Sequence, residues 1–211
     1  VLQVPIDGDR HYLQYRLDVF NDKIMQSQYR QTFGQPLRPP KTWKELNQLA
    51  AFFHGRKLAN GETLNGIVEI TKMDDLLFSN FIKRAAPYAK HPAVKGGFFF
   101  ELESMVPLIN TPGFVEALKD FITTQQYYPA GGDEYRLADV NRVFASGAAV
   151  FTDNWDDSFI YAMQEDGPLY NNVMPDISPG SRRVWNRRTG RWDEFPDVNY
   201  APYIAWGWTS A

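Results

Sequence analysis

A chain of 211 residues that is 44% hydrophobic and 15% aromatic is long enough to bury a substantial core, as one large or two small domains. Its 22 basic and 25 acidic side chains leave a net charge of −3, so no overall positive field draws it to nucleic acid or to an anionic membrane. With no cysteine there is neither a disulfide framework nor a thiolate metal site, and compartment is not settled by that lack. No apolar run approaches the roughly 20 residues of a membrane span. The sequence shows no signal peptide and no initiator methionine, and is expected to be a piece of a longer protein.

From His11, HYLQYRLDVFND passes from strand alternation into a helix whose apolar positions include Val19, Phe20 and Ile24. Arg38-Pro39-Pro40-Lys41 is a stiff, extended lead-in, because proline fixes φ and lacks a backbone donor. Thr42 then starts a helix, with Glu45 three residues on at capping-box spacing and Leu46, Leu49, Ala50 and Phe53 continuing an amphipathic face. An Asn60-Gly61 turn precedes the strand-like Gly66-Ile67-Val68-Glu69-Ile70. A further helix is predicted after Thr71, with Asp74 and Asp75 in its first turn. Leu76, Leu77, Ile82 and Ala85 lie near one face, and Pro87 and Pro92 confine its far end.

Gly96 to Phe100 leads into an extended segment, and Thr111-Pro112 opens a helix with Phe114, Val115, Leu118 and Ile122 predicted inward. Val140 and Phe144 suit the buried side of a short helix that Gly147 stops, since glycine takes the left-handed C-terminal conformation freely. Ala148 to Thr152 reads as a strand, and Asp153 or Asn154 as the cap of the next helix, which gathers backbone donors beside Trp155. Such a helix start can hydrogen-bond ligand oxygens while the indole stacks on an apolar ring face, the two surfaces that sugars and other polyols present. Equally, Trp155 reads as core and Asp153 as a cap alone. Helices alternating with short apolar strands, without repeats, predict an α/β layered domain.

From Ser178, SPGSRRVWNRRTGRWDEFPDVNY places Trp185 and Trp192 on either side of Arg188-Thr189-Gly190, a hairpin with glycine at its turn. Its arginines invite a nucleic-acid reading, but Asp193, Glu194 and Asp197 follow directly and the whole chain is acidic. A solvated hairpin with arginine stems lying over the tryptophans is expected instead. Asp153 with Asp156 or Asp157 suggests a carbohydrate-cleaving pair, although acids so close at a helix start are more simply a cap and first-turn charges. His11, His54 and His91 are scattered, with no H-x-x-x-H spacing, no G-x-S-x-G elbow and no phosphate loop after a strand. No cofactor and no metal are expected.

PIDGDRHYLQYRLDVFND, PPKTWKELNQLA, PLINTPGFVEAL, FASGAAVFTDNW and APYIAWGWTSA, in this order, resemble segments of bacterial extracellular solute-binding proteins of the sugar type, the receptors that serve ABC importers. The resemblance runs from Val4 to Ala211. It implies one α/β, periplasmic-binding-protein-like (type II) lobe, with helices packed around a small mixed β-sheet, spanning 1–211. Residues 1–16 would be the crossover strand from a first lobe, 178–199 a hairpin insertion and 200–211 a return segment. It further implies a carbohydrate or related polyol held in an interlobe cleft, hinge closure, a membrane permease as partner, and a periplasmic or extracellular location compatible with a lipid anchor on the full-length protein. By position, Trp155 matches the tryptophan after the short strand, Trp206 and Trp208 the Gly-Trp segment that approaches ligand, and Tyr15 the aromatic before the first helix of the second lobe. Asp153, Asn154 and Asp156 would serve ligand hydroxyls. Trp206 departs from the pattern, since many members have a small residue before the glycine. A hydrolase using Asp153 and Asp156, and a protein-interaction or sensor lobe using the arginine hairpin, stand as alternatives.

Overall fold

The computed structural model describes residues 4–5, 11–73, 76–200 and 209–210. Strand β1 (Val4–Pro5) pairs antiparallel with β8 (Thr209–Ser210). Strand β2 (His11–Arg16) runs into α1 (Leu17–Asn21), and Asp22 caps α2 (Lys23–Phe33) by accepting from the backbone N–H groups of Ile24 and Met25. Met25 and Tyr29 are the buried positions of α2, whereas Ile24 is exposed, so the inward stripe starts one residue later than predicted. In α3 (Trp43–Phe53) the predicted capping box is present: Thr42 Oγ1 accepts from Glu45 N at 3.2 Å, and Glu45 Oε2 accepts from Thr42 N at 3.3 Å.

The main sheet is mixed, in the order β3-β4-β2-β5. Strand β3 (Asn65–Val68) is parallel to β4 (Ala149–Trp155), and β2 is antiparallel both to β4 and to β5 (Val173–Ile177). Every residue of β4 is buried, as expected of a central strand covered on both sides. Helix α3 lies so close to β3 that a Cβ on Gly66 would stand 2.5 Å from the Ala50 carbonyl oxygen. Leu13, Trp43, Leu46, Phe53, Ile67 and Phe151 belong to the larger apolar cluster, and Val68, Val140, Phe144, Trp155 and Leu169 to a second.

Helix α4 (Leu77–Ala89) takes Pro87 into its last turn and ends before Pro92, so its far end lies between the two prolines predicted to confine it. Its predicted acidic first turn, Asp74 and Asp75, lies outside the described residues. Residues 96–100 form no strand; Phe100 makes a single antiparallel bridge to Pro107. In α5 (Pro112–Thr124) Phe114 is inward as predicted, but Val115, Leu118 and Ile122 are exposed. Gly113, Ala117, Phe121 and Thr124 complete the buried face. Helix α6 (Leu137–Ala145) buries Val140 and Phe144 and ends at Gly147, whose φ of 83° is left-handed.

Strands β6 (Ser181–Asn186) and β7 (Arg191–Asn199) form an antiparallel hairpin with Gly190 at φ 65° in its turn. Trp185 faces Trp192 edge to face at 5.6 Å, and the Arg183 guanidinium lies 4.3 Å over the Trp192 ring. The hairpin is docked, not simply solvated. Asn199 Nδ2 donates to the Pro87 and Lys90 carbonyls, Arg187 reaches Glu101 at 2.7 Å, and His91 Nε2 lies 2.9 Å from Asp193 Oδ2.

Candidate functional site at the end of β4

Asp153, Asn154 and Trp155 continue β4 instead of starting a helix, and helix α7 (Asp157–Ala162) begins only after Asp156. This overturns the predicted capping role of Asp153 or Asn154, since pairing with β2 takes their backbones: Leu13 faces Asp153, Tyr12 faces Asn154 and His11 faces Trp155. Asp156 occupies the cap position but makes no side-chain capping bond, and it is exposed.

The strand register sets the side-chain chemistry. The carboxylate of Asp153 is fully enclosed and ion-paired with the equally enclosed Lys83, whose ammonium also donates to the Asp153 carbonyl and sits 3.4 Å from His11 Nδ1. Burial and the neighbouring Lys83 charge lower the His11 pKa to about 2, so its ring is neutral through the physiological range. That ring packs against the Trp155 indole with centroids 4.2 Å apart. Gln14 Nε2 donates to the Trp155 carbonyl at 3.1 Å and to Ser158 Oγ at 2.6 Å, which ties the end of β4 to α7. Asn154 Nδ2 donates to Asn141 Oδ1 at 3.2 Å. Tyr15, four positions along β2 from the His11–Trp155 pair, faces Phe151 and packs edge to face on Phe20 within the core.

Asp153, Asn154 and Trp155 are therefore brought together, with Asp156 next to them on the surface. As placed, Asp153 and Asn154 offer almost no accessible surface, and Trp155 and Tyr15 are 6% and 9% exposed. Trp206 and Trp208 lie outside the described residues. Sequence reasoning missed His11, Gln14 and Lys83. The alternating HYLQY pattern placed the first two on a strand, but only the β2–β4 register shows that they meet Trp155, and nothing local marks Lys83, which approaches from α4. Among the described residues no group of three or more His, Cys, Asp or Glu side chains could hold a metal ion, and no helix is long and apolar enough to cross a membrane.

No protein-family model matches the sequence, and no curated protein does. Among solved structures, the maltose-bound MalE3 of T. maritima is similar over 99% of this chain, with a TM-score of 0.65 at 22% identity. The chain has the solute-binding-protein fold. A ribitol-bound ABC transporter solute-binding protein from Agrobacterium radiobacter shares this fold over 86% of the chain, with a TM-score of 0.64 at 18% identity. One from Thermotoga lettingae, bound with α-D-tagatose, does so over 98% of the chain, with a TM-score of 0.61 at 15% identity. The match takes in 44%, 40% and 44% of those chains respectively, so this sequence spans less than half the length of these solute-binding proteins.

Proposed function

We propose that this chain is one α/β lobe of a two-lobed solute-binding protein, the receptor component of an ABC importer. In this reading the whole protein holds a carbohydrate or related polyol in the interlobe cleft and closes about a hinge, so that ligand shifts the population toward a closed form that a membrane permease reads. The observation that carries the proposal is the fold shared over 99% of the chain with a maltose-bound protein. Fold likeness to ribitol- and tagatose-bound relatives points to the same chemical class of ligand. Residues 1–16 serve as the crossover, 178–199 as an insertion and 200–211 as the return, and the working place is periplasmic or extracellular.

In this reading Trp155 and Asp156 face the ligand, with Trp206 and Trp208 adding indole surface and Tyr15 support beneath. Asp153 and Asn154 hold the strand end through Lys83 and Asn141, and reach ligand hydroxyls only if that end opens. The role is non-catalytic: two hydrolytic carboxyls stand about 5–9 Å apart across an open site, whereas Asp153 is enclosed against Lys83 while Asp156 is exposed.

A thermal-shift comparison of this chain with a longer protein restoring both flanks tests the proposal, using maltose, ribitol, tagatose, amino acids and peptides as probes. A sugar at 100 times its dissociation constant adds about 2.7 kcal/mol of stability. Stabilisation of the longer protein by a sugar or polyol, abolished by Trp155→Ala, is the expected result. If amino acids or peptides stabilise it and sugars do not, the carbohydrate assignment falls.

A further inference from the structure

We infer that the groove between α3, α5 and the β6–β7 hairpin is a second binding site, for a neutral polyhydroxylated ligand such as a saccharide. Its volume is about 670 Å³, within the roughly 300–1,000 Å³ typical of small-molecule pockets. None of Asp153, Asn154, Trp155 and Asp156 lines it, so the inference is independent of the cleft assignment.

The floor is preorganised. Asp120 Oδ1 accepts from Asn47 Nδ2 at 2.6 Å, and its Oδ2 accepts from Arg84 at 2.9 Å. Arg84 is fully buried and is itself held by Glu69 at 2.8 Å and Thr124 Oγ1 at 2.7 Å, with its guanidinium 4.1 Å over the Trp43 ring. Each Asp120 oxygen thus has one fixed donor and a further lone pair for an incoming hydroxyl. Burial raises the Asp120 pKa against the opposing pull of Arg84. Tyr88 also lines the groove, a protonated phenol at neutral pH whose pKa burial, with Asp120 next in weight, raises further.

The rim decides the ligand's charge. The four carboxylates facing the groove, Glu45, Glu116, Asp120 and Glu194, are matched by Lys44, Lys119, Arg182 and Arg183. Arg182 pairs with Glu45 at 3.3 Å and Arg183 with Glu194 at 3.5 Å. An anion would meet the Asp120 floor, and a cation the arginines and lysines of the wall. A neutral molecule with many hydroxyls can donate to the carboxylates and accept from the cations at once, while the lysine and arginine stems cover its C–H faces.

Amide-resolved NMR of the folded chain, titrated with maltose and separately with ribitol, tests this. The expected result is concentration-dependent shifts of the Asn47 side-chain amide and of the backbone amides of 116–123, unchanged in Trp155→Ala. Thr123→Trp fills the groove from an exposed position and is expected to weaken the response at least about tenfold, near 1.4 kcal/mol. Glu116→Gln, on the rim, provides a second reduction should the tryptophan variant fold poorly. Shifts confined to residues 153–156, no shifts with either probe, or shifts that persist in both groove variants would each overturn the site.

Discussion

Lys83 and Asp153 show how much a single residue pair decides at the end of β4. Both side chains are out of water, 3% and 0% exposed, so removing one leaves the other charged and uncompensated. Lys83→Ala is expected to lower stability by about 3–5 kcal/mol in urea unfolding, with most of the loss recovered when Asp153→Leu is combined with Lys83→Met. A loss below about 1 kcal/mol is what an exposed pair would give, and would show the enclosure to be wrong. His11 adds a pH dependence. Its folded pKa of about 2 lies below the model-peptide value of 6.5, so between these the unfolded chain binds more protons and stability rises with pH. The His11 contribution is present above pH 6.5 and is lost as pH falls toward 2, at no more than about 1.4 kcal/mol per pH unit. His11→Gln should flatten that part of a stability-against-pH curve. Asp120, raised by burial, acts in the opposite sense above its model-peptide value of 3.8.

At the level of elements, α5 is the instructive case. Its sequence carries apolar residues on two faces, and packing against α3 and α4 selects Phe114, Ala117 and Phe121 while leaving Val115, Leu118 and Ile122 outside. Phe114→Ala is therefore expected to cost about 3–5 kcal/mol, and Leu118→Ala well under half as much, since it is about half exposed. Equal losses in chemical denaturation would mean that the outer face is covered. For α3, Thr42→Ala removes the acceptor of the capping box and is expected to cost about 1 kcal/mol by the same measurement.

Across the whole molecule, the hairpin is a structural clasp. Asn199 satisfies two carbonyls at the end of α4, Arg187 and Asp193 add links to Glu101 and His91, and Gly180 exchanges backbone bonds with Lys41 and Trp43. Asn199→Ala should cost about 1–3 kcal/mol by leaving those carbonyls without their donor, seen as a fall of several degrees in melting temperature. The arginines of this segment have largely local duties. Arg182, Arg183 and Arg187 are paired with Glu45, Glu194 and Glu101, which accounts for a basic run in an acidic chain without invoking nucleic acid.

Local sequence determined the features whose causes are local. The Thr42–Glu45 capping box, the stop at Gly147, the hairpin around Gly190 and the alternation of helices with short strands all depend on a few adjacent residues, and all were legible. Tertiary structure decided the rest. The inward face of α5 and the strand character of Asp153 to Trp155 are set by partners distant in the chain. The meeting of His11, Lys83, Asp153 and Trp155, and that of Asn47, Arg84 and Asp120, likewise join segments whose local patterns contain no sign of one another. Strand register and helix docking bring those groups together, and both follow from burying the whole core at once.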